Sequence, residues 1–534
     1  MPLPPLPRRL MQAGLLSLAC VGGPGLLAQP APAPSRVQLP TLGDAASEDF
    51  DLLTERRLGE RIMRDIRRDP DLLDDPPLQE YLEALWQPLL ATARASGHIN
   101  PDLQNAYAWQ AFLVRDRAVN AFALPGGYVG VYLGLISLTA SRDELASVLA
   151  HELTHVTQRH IARSITNSER QGMATMAAMI LGLLAASRAG SADAAQAVLL
   201  GSQAAMVQGQ LNFTREMERE ADRIGFELLG GAGFAGAGMS AMFERLESAS
   251  RLNDNNQYPY LRSHPLTIER ISEARLRLRD GGAAPATAEP AQHALMQARA
   301  RVLMDRSEQG LRRQQAQGLP GSPAVDLPRL AALYGAALAS SLLRDFDRAD
   351  QALQAGATLA AGPFKAQPGA ARAFALLKAE TLAARGTASA AAFEAALAPL
   401  AGDRSRAAMM LRAQVALARH RSGDPAAAGA LREATESLQT WVTEHRQDAL
   451  AWQTLAQCAE PLGLRLRALR AGAEAALAGG DILGAADRFR AAQEIARQPG
   501  QGDDVERAIL QSRLRDIEPE RRRLLAEMRG EKPE

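Results

Sequence analysis

The sequence contains the stretch "ASVLAHELTHVTQRHIARS", residues 146–164. It places His151 and His155 four residues apart, with Glu152 beside the first histidine. On a helix, residues i and i+4 lie on the same face, so the two imidazoles can bind one zinc ion while Glu152 points toward a metal-bound water. The alternative is a polar, solvated helix face that happens to carry histidines.

The surrounding pattern favours an embedded helix. The tetrapeptide "SRDE" predicts a capping box, with Ser141 as N-cap and Glu144 reaching back to its amide. Apolar residues then recur at helical spacing: Leu145, Val148, Leu149, Leu153 and Val156. Because burial of two unpaired imidazoles is costly, this pattern favours the metal site over the solvated face.

A catalytic zinc site needs a third protein ligand. The metzincin spacing is excluded, since Gln158 replaces its glycine and Ile161 stands where its third histidine would be. His160 is one residue out of register, so we expect it to be exposed or to support a ligand from behind.

An acidic run on a second helix, "REMEREAD", offers the third ligand. Glu218 and Asp222 are four residues apart and share a face. Glu218 can bind the metal while Asp222 holds a zinc-binding histidine in its tautomer. Glu216 and Glu220 point elsewhere and are interpreted as exposed charges.

Composition and the ends of the chain set broader limits. The 534 residues include 60 basic and 60 acidic side chains, so no basic surplus points to nucleic acid. Two cysteines, Cys20 and Cys458, exclude a disulfide scaffold and a four-cysteine zinc site. Residues 1–28 resemble a signal peptide, which predicts export to a bacterial periplasm; a lipid anchor at Cys20 is the second reading.

Helical and strand patterns divide the rest of the chain. We expect a linker at 29–47, a metallopeptidase domain at 48–285 and a helical repeat domain at 290–534. Within the first domain, two or three strands are predicted over 105–136, and a polar loop over 250–267. Apolar helices at 171–208 are short for a bilayer crossing and are interpreted as core or lid helices, or as a membrane or client contact.

The C-terminal half carries a recurring small–large–small signature typical of the second helix of a tetratricopeptide repeat. Its spacing is longer than the ideal of about 34 residues, which indicates degenerate repeats with one unit intercalated near 440–475. A generic alanine-rich helical bundle is the alternative. The signature residues are Ala349, Leu353 and Gly356; Ser389, Phe393 and Ala396; Ala427, Leu431 and Ala434; and Ala485, Phe489 and Ala492.

Four stretches together resemble the zinc metallopeptidase family of the prenyl-protein (CaaX) endopeptidases and the bacterial membrane-stress protease HtpX. They are "NAFALPGGYVGVYLGLI", "ELASVLAHELTHVTQRH", "EMEREADRIG" and "SHPLTIERI". The signal peptide and the repeats narrow the resemblance to periplasmic members that act in β-barrel assembly. The resemblance implies a mainly α fold: a gluzincin-type domain with a small β-sheet, followed by a tetratricopeptide-repeat solenoid.

The same resemblance assigns site residues. It implies that one Zn²⁺ is bound by His151, His155 and Glu218, with Glu152 as general base and Asp222 as support. It also implies that "ALPGGYVGVY" is the edge strand beside the cleft, where an extended substrate segment can add as a strand. Three residues would shape that approach: Asn120, Pro125 and Gly126; an ordinary buried strand is the alternative.

His264, in "SHP", resembles a histidine that occupies the water's position on zinc in periplasmic relatives and keeps the enzyme off. A plain surface histidine is the alternative, and stabilisation of the transition state after rearrangement is a further role.

The expected function is a periplasmic endopeptidase that hydrolyses misassembled outer-membrane proteins by zinc-bound hydroxide. Its expected partners are those stalled proteins and, through the repeats, the β-barrel assembly machinery. Two alternatives stay open: a chaperone or scaffold with mostly latent protease activity, and an integral membrane protease with the 171–208 helices inserted.

Overall fold

A computed structural model describes residues 50–167, 215–252, 257–280, 289–318, 325–498 and 503–529. These belong to one compact unit, residues 45–534. The predicted signal peptide, the predicted linker and the apolar stretch at 171–208 lie outside the described residues.

The first part of the described chain surrounds a small sheet with helices, as the sequence predicts. Its helices are α1 (Leu52–Arg67), α2 (Pro76–Ala95), α3 (Pro101–Ala106), α4 (Leu133–Leu138), α5 (Arg142–Thr157), α6 (His160–Asn167), α7 (Arg215–Gly231), α8 (Ala237–Leu252), α9 (Pro259–Ser263) and α10 (Ile268–Asp280). The polar loop expected over 250–267 is wrong in part, because α8 extends into it and Pro259 starts the short helix α9.

The sheet has four strands in the order β1-β2-β4-β3. The strands are β1 (Leu72–Leu73), β2 (Gln110–Val114), β3 (Ala121–Leu124) and β4 (Tyr128–Tyr132). The central pair β2–β4 is parallel, and both outer pairs are antiparallel. Three strands fall inside the predicted region, whereas β1 is too short to leave a sequence pattern.

The zinc-motif helix α5 is buried on every side rather than on one face. All residues from Asp143 to Thr157 are buried. Helices α2, α7 and α8 and strand β3 pack around it. Ser141 caps its start as predicted, but Glu144 accepts a hydrogen bond from the amide of Ala140, not from that of Ser141.

From residue 290 onward the described chain consists of helices, in which successive neighbours pack together. They are α11 (Pro290–Met304), α12 (Glu308–Gln317), α13 (Leu327–Leu342), α14 (Phe346–Ala361), α15 (Pro368–Arg385), α16 (Ala390–Leu397), α17 (Arg406–Arg421), α18 (Ala427–Glu444), α19 (Ala449–Ala459), α20 (Arg465–Ala478), α21 (Ile482–Ala496) and α22 (Asp504–Met528).

The small–large–small signatures lie on α14, α18 and α21 and on α16 with its N-cap Ser389, and each of these helices follows a turn. The small residues permit close approach: a Cβ on Gly356 would lie 2.1 Å from the Phe374 ring. The long interval before the last signature contains the additional pair α19 and α20, where an intercalated unit is expected.

A buried ion cluster joins the two parts of the chain. Arg299 on α11 is 2% exposed and makes two hydrogen bonds, of 2.6 and 2.7 Å, to Asp75 at the start of α2. It makes two more, of 3.0 and 3.1 Å, to Glu380 on α15. One guanidinium therefore neutralises a carboxylate beside the sheet and another among the C-terminal helices.

Within the described ranges, no helix is both long and apolar enough to cross a membrane.

Candidate metal centre

Helices α5 and α7 bring the predicted ligands together. The packing of α7 on α5 is close because Gly225 faces the backbone of Ala150 and His151, where a Cβ would lie at 3.3 Å. His151, His155 and Glu218 are all at most 3% exposed. The helical spacing and this close packing therefore direct the three side chains toward the same buried space between α5 and α7.

The nitrogen and oxygen atoms have the spacing of zinc ligands. Nε2 of His155 lies 3.0 Å from Nε2 of His151, and Glu218 oxygens lie 3.5 Å from each of these nitrogens. Two atoms bound to a tetrahedral zinc ion at about 2.0–2.1 Å lie about 3.3 Å apart. The three side chains therefore fit one zinc ion.

His264 completes a fourth corner of this arrangement. Its Nδ1 lies 2.9 Å from Glu218 Oε1 and 3.3 Å from His151 Nε2. Ligand atoms of the four residues all lie within 4.8 Å of one another. His264 is buried and its ring stacks on Tyr260 at 4.7 Å between centroids, so it is not a surface histidine.

Charges around the site match the needs of metal ligands. Burial disfavours the charged form of His155, and together with His151 and His160 it holds the pKa of His155 well below its usual value. Burial opposes the charged form of His151 too, but Asp222 and Glu218 outweigh it and raise the pKa of His151 to about 9. A metal ion would replace that proton, since both imidazoles bind metals in the neutral form.

Glu152 follows His151 on α5 and is fully buried. Neither of its carboxylate oxygens accepts a hydrogen bond within the described chain. Nε2 of His264 lies 3.4 Å from its Oε1. A buried carboxylate with unused acceptors beside a metal site is suited to take a proton from water.

Comparisons with known proteins agree with this chemistry. Residues 79–278 match the model of peptidase family M48. A protein of Vibrio cholerae named putative β-barrel assembly-enhancing protease is 38% identical over 262 residues, which cover 49% of this chain and 51% of that protein. The β-barrel assembly-enhancing protease of Escherichia coli is 33% identical over 248 residues, covering 46% and 48%.

Residues 79–278 are therefore similar to an M48 peptidase domain.

A more distant relative is the mitochondrial metalloendopeptidase OMA1 of Arabidopsis thaliana, which is 28% identical over 227 residues, or 42% of this chain and 41% of that protein. The chain spans about half the length of the curated bacterial relatives it matches. The ligand candidates and Glu152 all lie inside the region that matches the M48 model.

Asp222 lies where the sequence predicts, behind His151. Its Oδ1 is 3.0 Å from Nδ1 of His151. Burial disfavours the carboxylate, but hydrogen bonds from Arg270 outweigh burial and lower the pKa of Asp222. Asp222 is therefore placed to fix the orientation of His151 with Nε2 toward the metal.

Arg270 is the site residue that sequence reasoning missed. This buried guanidinium donates two hydrogen bonds, of 2.7 and 2.8 Å, to Asp222, and its Nη1 lies 2.7 Å from Glu218 Oε2. If Asp222 is expected to be buried, a basic side chain is expected beside it. Many arginines lie nearby in the sequence, so only the fold identifies which one supplies it.

The structure decides between two alternatives for one residue and corrects the interpretation of another. His160 is 0% exposed, so it is not a surface side chain; its Nδ1 lies 2.8 Å from Nδ1 of His155, which matches the supporting role left open. Glu220 is not a free exposed charge, because its Oε2 lies 3.1 Å from His160 Nε2. Glu216 is exposed, as expected.

The segment expected to form the edge strand divides between two strands. Its second half, β4, is hydrogen-bonded on both sides, so the edge belongs to β3. Pro125 and Gly126 lie in the buried turn between them, packed against Gly59 of α1. Asn120 precedes β3, is 2% exposed, and its carbonyl accepts a hydrogen bond from Tyr132.

Proposed function

We propose that the chain is a zinc-dependent endopeptidase of the bacterial periplasm that hydrolyses misassembled outer-membrane proteins. The observation that carries the proposal is the tetrahedral spacing of His151, His155 and Glu218, with the buried carboxylate of Glu152 beside them. The names of the bacterial relatives support the substrate class, since they describe proteases that enhance β-barrel assembly.

In this proposal, His151, His155 and Glu218 hold the metal. When bound, zinc would lower the pKa of a coordinated water to about 7 and polarise the scissile carbonyl. Glu152 accepts the proton of the attacking water and then donates it to the leaving amine. Burial of the site keeps bulk water away from Glu152, which strengthens each charge interaction during the reaction.

Substrate would reach the site beside β3. Among the described residues this strand pairs with β4 alone, so its other edge can pair with an extended peptide. Strand addition recognises a peptide through its backbone hydrogen bonds, so it does not require a particular amino-acid sequence. This property suits a protease that acts on misfolded proteins. In this arrangement the ends of β3 are set by Asn120 before the strand and by the turn at Pro125 and Gly126 after it. These residues shape the strand and do not take part in the chemistry.

In this proposal the enzyme is latent while His264 lies at the metal centre. A catalytic zinc site keeps one coordination position open for water. His264 occupies that corner, 2.9 Å from Glu218 and 3.4 Å from Glu152. Activity therefore requires His264 to move away, and the short helix α9 before it is the element that would carry it.

A second function, as chaperone or scaffold, is favoured by the closed site and by the extent of the C-terminal helices. Stacked helical hairpins of the tetratricopeptide type offer surfaces for clients or for the β-barrel assembly machinery. In this alternative, binding matters more than hydrolysis, and cleavage is occasional.

One substitution separates the two functions. Glu152→Gln keeps the size of the side chain but removes the proton acceptor, so cleavage of an unfolded outer-membrane protein by the purified chain should stop while client binding persists. In cells, loss of client processing supports the peptidase. Unchanged processing by Glu152→Gln would overturn the peptidase function and favour the scaffold.

A further inference from the structure

The zinc-ligand candidate His155 has a second histidine behind it. The His160 Nδ1 atom lies 2.8 Å from the His155 Nδ1 atom, and its Nε2 lies 3.1 Å from Oε2 of Glu220. The same oxygen accepts a hydrogen bond of 3.0 Å from Arg163. Glu220 is thus fixed from two sides and in turn fixes the His160 ring.

The direction of these hydrogen bonds follows from the position of the other ligands. Nε2 of His155 faces His151 and Glu218, so a neutral metal-binding imidazole carries its hydrogen on Nδ1. That N–H donates to Nδ1 of His160, which leaves the hydrogen of His160 on Nε2. This second N–H donates to Glu220, so every member of the chain has one defined tautomer.

An unusual turn makes the contact. Helix α5 ends at Thr157, and Arg159 adopts a φ of 52°, a left-handed conformation that few non-glycine residues adopt. Arg159 is held there by Glu55, at 3.0 Å, and by the carbonyl of Phe50, at 2.7 Å. The turn directs the chain back so that the rings of His160 and His155 lie 4.8 Å apart. Strain held by its surroundings is a feature of functional sites.

We propose that His160 and Glu220 are positioning residues for zinc, orienting His155 through two consecutive hydrogen bonds. Each zinc imidazole then has a carboxylate of α7 behind it: Asp222 acts on His151 directly, and Glu220 acts on His155 through His160. The inference rests on the proposed function, since it requires zinc at Nε2 of His155.

The test is the zinc dissociation constant of the purified full chain, measured by chelator competition, together with the absorption spectrum of the Co²⁺ form. His160→Ala removes both hydrogen bonds and should weaken zinc binding about 10- to 100-fold. In His160→Gln the carbonyl can accept from His155 and the amide can donate to Glu220, so most of the affinity should return.

His293→Ala is the matched control. His293 is also a buried, hydrogen-bonded histidine, 2.6 Å from the Tyr81 hydroxyl and 3.1 Å from the carbonyl of Thr139. Its partners lie outside the metal centre, so its loss should affect stability but leave zinc affinity and the Co²⁺ spectrum unchanged.

Zinc affinity distinguishes a failure of the positioning role from a failure of the proposed function. Unchanged zinc affinity in His160→Ala, an equal loss in His293→Ala, or no recovery in a folded His160→Gln protein would each overturn the positioning role alone. A wild-type chain that binds no zinc would overturn the proposed function. Selective weakening in His160→Ala with recovery in His160→Gln is the result we expect.

Discussion

Arg270→Met is expected to destabilise the folded chain strongly, because Arg270 is the countercharge for two buried carboxylates. The guanidinium is 4% exposed and contacts Asp222 at 2.7 and 2.8 Å and Glu218 at 2.7 Å. Removing one partner of a buried ion pair costs about 3–5 kcal/mol. Protonated His151, 3.0 Å from Asp222, can still compensate part of the buried negative charge. We therefore expect a loss of unfolding free energy at the lower end of this range, about 3 kcal/mol.

The measurement is the free energy of unfolding in urea, with excess chelator so that metal binding does not contribute. Arg275→Met is the control on the same helix, α10. Arg275 pairs with Glu244, but the two side chains are 56% and 50% exposed. Loss of such a surface pair should change the free energy of unfolding by no more than about 0.5 kcal/mol.

Equal unfolding free energies for Arg270→Met and Arg275→Met would refute this reasoning, because Asp222 and Glu218 would then tolerate burial without their partner. Arg270→Lys provides a graded check. Lysine keeps the charge but loses the bidentate geometry, so its unfolding free energy should fall between wild type and Arg270→Met.

Three further predictions concern activation, metal and the joint between the two parts of the chain. His264→Ala should raise the initial rate of client cleavage, by about tenfold if the open form is populated at about 10%; an unchanged or lower rate would contradict latency. Removal of zinc with a chelator should abolish cleavage, and stoichiometric zinc should restore it. Arg299→Met should cost about 3–5 kcal/mol of unfolding free energy in urea, since it leaves buried Asp75 without its partner; a cost below about 1 kcal/mol would show that Arg299 does not join the two parts.

Much of the fold follows from local pattern. The apolar periodicity around His151 predicts α5, the β-branched runs predict β2, β3 and β4, and the small–large–small signatures predict the helix pairs. The two-residue strand β1 and the order of the strands leave no such pattern, because register and pairing depend on contacts between distant segments.

The candidate ligands were predictable because helical spacing fixes which side chains share a face. His151 and His155 share one face of α5, and Glu218 and Asp222 share one face of α7. The same spacing predicted Asp222 behind His151, whereas the contacts made by Arg270 and His160 were not predictable. His160 reaches His155 only through the left-handed turn at Arg159, and a helix-face argument assumes regular backbone geometry.

Zinc-edge X-ray absorption on the purified chain, with the metal content measured in parallel, tests whether His151, His155 and Glu218 bind one metal ion. We expect one zinc per chain, bound by nitrogen and oxygen atoms at about 2.0–2.2 Å, and loss of that zinc in Glu218→Ala. A chain that cleaves its client without bound metal, or a zinc shell unchanged in Glu218→Ala, would contradict this expectation.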